Sequence, residues 1–174
     1  MTPAAPRSVD IVVYPGFKAL EAIATMSVFE YANTHLAARG RARGYRVEVV
    51  ACEAGPVASD MQMSLQATRS LDAAVLPDIA VIVGARGIEN AVERLPDLVN
   101  WARAAAPRIH RLVALCSGTF FLAAAGLLDG QRAATHWSVA HVLQKSFPQV
   151  KVDADAIYVT SRDQQKIIRL RKRN

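Results

Sequence analysis

R-L-V-A-L-C-S-G-T-F-F-L-A-A-A-G-L-L-D-G, Arg111 to Gly130, is the stretch whose reading decides the fold. Leu112 to Leu115 is a short apolar run without polar interruption, the pattern of a strand buried on both faces. Cys116 stands where that run ends, and small Ser117 and Gly118 follow. Phe120, Phe121, Ala124 and Leu127 then fall on one face of a helix that the glycines at 126 and 130 bring to a stop. A cysteine on a tight turn between strand and helix is pushed out over the sheet edge, facing the positive end of the helix dipole. That placement is expected to lower its pKa and make it a reactive thiol. The same pattern also suits a free cysteine acting as a small buried hydrophobe, because the first small residue of a Gly-x-nucleophile-x-Gly elbow is Ala114 here.

Working outward, Ser8 to Tyr14 reads as a buried strand broken by Pro15-Gly16. A helix is expected from about Lys18 to Ala38, with Leu20, Ile23, Ala24, Ser27, Val28 and Tyr31 as its inward face. Glu21 lies in its first turn, where the dipole favours a solvated carboxylate. Tyr45 to Ala51 is a second strand, and 54–65 a small side hairpin around Gly55-Pro56. Ile79 to Gly84 is a central buried strand running into Ala85-Arg86-Gly87. That turn is too short for a phosphate loop, although its backbone amides can face a ligand. Residues 88–106 read as two helical pieces broken at Pro96, and Arg132 to Trp137 as a short extended segment with His136 at its junction. Ser138 to Phe147 is helical, and Val150 to Val159 a last strand or hairpin arm.

Alternating strands and helices of this kind build a mostly parallel sheet covered on both faces. Ligands bind such sheets at the carboxyl ends of the strands, which brings Glu21, the Gly84 turn and Cys116 to one edge.

The chain has 174 residues and carries a net charge of +6. Residues 1–160 hold 15 basic and 14 acidic side chains, whereas 161–174 hold six basic and one acidic. The body is close to neutral and offers no basic nucleic-acid face, so no specific DNA binding is expected of this chain alone. Cys52 and Cys116, the two cysteines, match no zinc or redox spacing, which argues for a reducing cytoplasm. Neither a metal constellation nor a dinucleotide fingerprint appears, so no cofactor or metal is expected. There is no apolar leader or membrane-length segment, so a soluble cytoplasmic protein is expected.

The wording Y-P-G-F-K-A-L-E (Tyr14 to Glu21), A-G-P-V (Ala54 to Val57), C-S-G-T-F-F-L-A-A-A-G-L-L-D-G (Cys116 to Gly130) and A-T-H-W (Ala134 to Trp137) resembles the ThiJ/PfpI superfamily. It is most similar to the amidotransferase-like sensor domain that precedes the DNA-binding domain of GlxA-like AraC-type regulators. The resemblance implies an α/β flavodoxin-like three-layer sandwich over residues 8–159, with Cys116 on a nucleophile elbow. It implies Glu21 and His136 as its catalytic partners, and Gly84, Ala85, Ser117 and Trp137 as ligand-binding positions. A small-molecule ligand and a homodimer come with it. It favours a regulator's sensor, with a cysteine-dependent enzyme such as an isonitrile hydratase-like lyase as the alternative and an inert remnant as a third reading. Two departures stand out. Ala85 replaces the second glycine of the usual pair, and Ala24-Thr25-Met26 replaces Ala-Gly-Pro. The basic tail 160–174 resembles nothing in the family, so the chain is expected to be a product truncated before the helix-turn-helix domain, or else a short protein with a basic helical tail.

Overall fold

The computed structural model describes residues 5–160 and the backbone of 167–170. Its centre is a seven-stranded sheet of β1 (Arg7–Val12), β2 (Tyr45–Ala51), β5 (Arg69–Ser70), β6 (Ile79–Ile82), β7 (Arg111–Leu115), β10 (Tyr158–Thr160) and β11 (Ile167–Leu170). The spatial order is β10-β11-β7-β6-β1-β2-β5, parallel throughout except for β10 against β11. Buried β-branched and aliphatic runs explain the parallel core: Val9, Ile11, Val12, Ala80, Ile82, Leu112 and Ala114 are all closed to solvent. The helices are α1 (Ala19–Ala37), α2 (Ile88–Arg94), α3 (Pro96–Ala105), α4 (Thr119–Ala124) and α5 (Ala140–Ser146). Pro96 opens α3 at a first-turn position that needs no amide hydrogen, which is why the helical stretch divides there. A side hairpin pairs β3 (Gly55–Ala58) with β4 (Ser64–Ala67), and β8 (Arg132–Ala133) pairs in parallel with β9 (Lys151–Val152).

Three expectations are corrected. The long last strand over 150–159 is two short ones, β9 and β10, separated at Asp153, whose carboxylate accepts the amides of Asp155 and Ala156 in a turn. Residues 167–170 form a strand between β10 and β7, where a basic helical tail was the alternative; the side chains of that tail lie outside the described residues. The third correction concerns α1. Its inward face is Ala19, Ala22, Met26, Phe29 and Asn33, and the face expected to point inward is the outer one, with Leu20 61%, Val28 65% and Tyr31 74% exposed. Both faces of this helix are apolar, so periodicity alone cannot orient it. Asn33 helps to decide the outcome: its amide donates to Tyr45 O and accepts from the backbone of Gly44 and Tyr45, fixing α1 to the start of β2.

One charged side chain lies inside the sheet region. Asp10 is buried on β1, paired with Arg69, whose Nε also reaches Glu48 at 3.0 Å. Burial raises the Asp10 pKa above its ordinary value in spite of Arg69. A raised acid means that the folded state holds the proton more tightly than the unfolded chain, so ionising Asp10 costs stability as pH climbs past the usual carboxylate range. Arg69→Gln removes the compensating cation. We expect it to destabilise the protein by about 2 kcal/mol at pH 7, a buried-pair loss reduced for the partial exposure of Arg69. The deficit should shrink toward pH 4 in urea unfolding followed at both pH values.

Candidate functional site

Cys116 follows β7 and opens a single 3₁₀ turn (Cys116–Gly118) that leads into α4. It has φ of +50°, the only positive value among the described non-glycine residues. A left-handed conformation costs an L-residue about 1–2 kcal/mol, so the surroundings must hold it there. They do so from several sides. Thr135 Oγ1 donates to Cys116 O at 3.0 Å, and Thr119 Oγ1 donates to Ala134 O at 3.0 Å, tying the elbow to the segment that carries His136. Gly118 sits so close to β6 that a Cβ on it would lie 2.6 Å from Ile82 O. Gly84 is similarly confined, its imaginary Cβ meeting Ser117 Oγ at 2.7 Å and Glu21 Oε2 at 3.2 Å.

Glu21 is brought to this point by the start of α1. Phe17 bridges Ala85, Lys18 N donates to Gly84 O at 2.8 Å, and Asp60 of the hairpin loop accepts the Ala19 amide at 3.1 Å in place of a local cap. The Glu21 carboxylate then accepts Gly84 N at 2.7 Å and is hydrogen-bonded to the Cys116 side chain. It is therefore the sulfur's partner and not a solvated first-turn acid. Tyr14, buried alongside, donates its hydroxyl to Val83 O at 2.7 Å. Burial and the neighbouring Glu21 keep that phenol protonated, well above its ordinary pKa.

The low-pKa thiol expected from the elbow position is corrected. Burial pushes Cys116 up to about 12, the charge and hydrogen bond of Glu21 add to it, and the Ser117 amide and Lys18 only partly offset them. At neutral pH the sulfur keeps its proton and Glu21 is the acceptor. Bonding of this sulfur to an electrophile thus requires the proton to pass to Glu21 as the new S–C bond forms, activation of a nucleophile by an adjacent base. Cys52, half-buried at the end of β2, is also raised, by burial and by Asp97.

The remaining expected site residues separate into two groups. Ser117 and Ala85 clasp each other: Ser117 Oγ donates to Ala85 O at 2.9 Å, and Ala85 N reaches Ser117 Oγ at 3.1 Å. Ala85 has no positive φ, so the departure from a glycine pair leaves the turn unstrained. The amides of Gly84, Ala85 and Ser117 are already engaged by Glu21, Ser117 Oγ and the sulfur respectively. His136 faces the same cavity as Cys116. Its Nδ1 lies 2.7 Å from Ser138 Oγ and 3.3 Å from the Ser138 amide, which holds the ring in place. Trp137 is half exposed, rests against the His136 ring at 5.5 Å and lies outside the cavity lining. The cavity, about 330 Å³, is lined by Cys116 and His136 together with Lys18, Arg86, Ile88 and Ser138. Sequence reading missed Lys18 and Arg86, which carry no spacing signal. It also missed Thr119 and Thr135, although both stand within the motif wording already singled out. Among the described residues no cluster of three or more His, Cys, Asp or Glu is placed to hold a metal, and no helix is long and apolar enough to cross a membrane.

Residues 7–173 match the DJ-1/PfpI family. The chain belongs to that family. It is 34% identical over 145 residues to a protein from the cpoL 5′ region of Streptomyces lividans, covering 83% of this chain and 98% of that one. It is 32% identical over 138 residues to the HTH-type transcriptional regulator CdhR of Pseudomonas aeruginosa, covering 79% of this chain and 39% of the regulator. A shorter match, 31% over 88 residues, covers 51% of this chain and 38% of the isonitrile hydratase of Pseudomonas putida. Among solved structures, an AraC family transcriptional regulator from Pseudomonas putida superposes with a TM-score of 0.67 at 25% identity, covering 95% of this chain and 83% of that one.

The Cys116–Glu21 pair makes a signed prediction. Glu21→Gln removes the negative charge that raises the thiol, so the apparent pKa of Cys116 alkylation should fall, while exposed Glu30→Gln should leave it in place. Iodoacetamide labelling across pH, read by mass spectrometry, measures both. An unchanged or higher value in Glu21→Gln would show that the carboxylate does not hold the proton on sulfur.

Proposed function

We propose that this chain is the small-molecule-sensing domain of an AraC-type transcriptional regulator. Ligand occupies the Cys116 cavity, and specific DNA contact belongs to a helix-turn-helix domain and not to residues 1–174. The observation that carries this reading is the likeness to the Pseudomonas regulator across most of the chain. The cavity supports it: a small open cleft over a strained elbow, at the carboxyl ends of parallel strands, is suited to hold a ligand. Cys116 and His136 line it, with Glu21 behind the sulfur, in a protein of the cytoplasm.

The second reading is an enzyme, favoured by the match to isonitrile hydratase and by a sulfur already paired with a base. Incubation with cyclohexyl isocyanide separates the two. A sensor leaves it unchanged relative to a Cys116→Ala control, whereas N-cyclohexylformamide accumulating only with Cys116 intact would overturn the sensor reading.

The same proposal includes a homodimer, supported by the outer face of α1, where Leu20, Ile23, Ala24, Ser27, Val28 and Tyr31 form a stripe without charge. An uncharged stripe can meet its own copy across a two-fold axis without opposing like charges. Val28→Asp should then convert a dimer to a monomer in size-exclusion chromatography with light scattering, with little change in Tm, since Val28 is outside the core.

A further inference from the structure

The charge around the Cys116 cavity is one-sided. Lys18 and Arg86 both line it, and no acidic residue does. Residues 1–160 are otherwise nearly neutral, so two cations on one small opening are not a sample of the general surface. Lys18 is only loosely balanced, 3.9 Å from an Asp60 oxygen, and the other oxygen of that carboxylate accepts the Ala19 amide. Arg86 is exposed and has no hydrogen-bond or ion-pair partner among the described residues. His136 also lines the cavity, its Nδ1 turned to Ser138. Glu21 is engaged by Gly84 N and by the sulfur.

From this arrangement we infer that the cavity selects small anions, with a carboxylate-bearing organic molecule as the ligand class and Arg86 as the group that pairs with the carboxylate. A guanidinium offers a planar fork of donors matched to two carboxylate oxygens, and a free one at the mouth of a pocket forms that pair without first breaking another. The volume of about 330 Å³ is at the low end for ligand pockets, which restricts the ligand to a compact molecule. The inference rests on the ligand-pocket reading above and adds the sign of the ligand's charge to it.

Two alkylating reagents of nearly equal size test the charge apart from the pocket. Iodoacetate is anionic and iodoacetamide is neutral, and both label thiols. The iodoacetate-to-iodoacetamide rate ratio at Cys116, measured by peptide mass spectrometry at pH 9 and low salt, should fall about threefold or more in Arg86→Gln, as expected for loss of one partly screened charge. The ratio at Cys52, which lines a different cavity beside Asp97, should stay constant and serves as the internal control. Propionate should also slow iodoacetamide labelling of Cys116 more than propionamide or propylammonium does, and Arg86→Gln should abolish the difference. Arg86 is exposed and unpaired, so an unchanged Tm confirms that the variant is folded. An unchanged ratio in Arg86→Gln, or equal protection by the three propyl compounds, would overturn the anion preference and leave the pocket standing. Failure of both reagents to reach Cys116 in the folded protein would instead overturn the pocket reading and the inference with it.

Discussion

The carboxylate of Glu21 joins the three pieces of chain on which the site depends. One oxygen takes the Gly84 amide at the end of β6, the side chain meets Cys116 at the end of β7, and the helix that carries it starts against the Gly84 turn. A partly buried carboxylate is costly to leave without hydrogen-bond partners, so these contacts support one another. The constraint extends to residues without functional groups. Gly84 and Gly118 have no room for a methyl group, because the turns are drawn together closely enough for the carboxylate, the sulfur and the Ser117 hydroxyl to meet.

That arrangement also explains which face α1 presents to solvent. Turning Glu21 toward the sulfur turns Ala22, Met26 and Phe29 toward the sheet and leaves Leu20, Val28 and Tyr31 outside. The sequence of the helix is compatible with either orientation. Periodicity separates apolar from polar faces, and where both faces are apolar it has nothing to separate. The orientation was therefore legible only through Glu21, once its partner on another element was known.

Strands β6 and β7 and the elbow were legible for a simple reason: each strand is an apolar run ended by glycine or a small residue, while β2 was legible from alternation that turns apolar at its end. The turn at Asp153 was hidden because Val150 to Val159 alternates well enough to pass for one strand, and an Asx turn needs its backbone partners to be seen. The pKa of Cys116 was misjudged for a comparable reason. Position at a helix start is visible in sequence, whereas desolvation and a carboxylate contributed from almost a hundred residues earlier in the chain are not, and here those two dominate. Lys18 and Arg86 belong in the same category: isolated cations in a sequence, they become neighbours only when the ends of the strands are assembled.

The left-handed backbone at Cys116 has an evolutionary consequence. A turn kept only to connect β7 to α4 is most easily made by glycine, which adopts φ of +50° without strain, and drift would favour that replacement. A branch-free side chain bearing a sulfur is instead held in a conformation it resists, by two threonine hydroxyls and two glycines with no spare space. Loss of the sulfur's role would release selection on all of these positions together. Relatives that have abandoned this chemistry should therefore be recognisable by glycine at the elbow and by larger residues where Gly84 and Gly118 now stand.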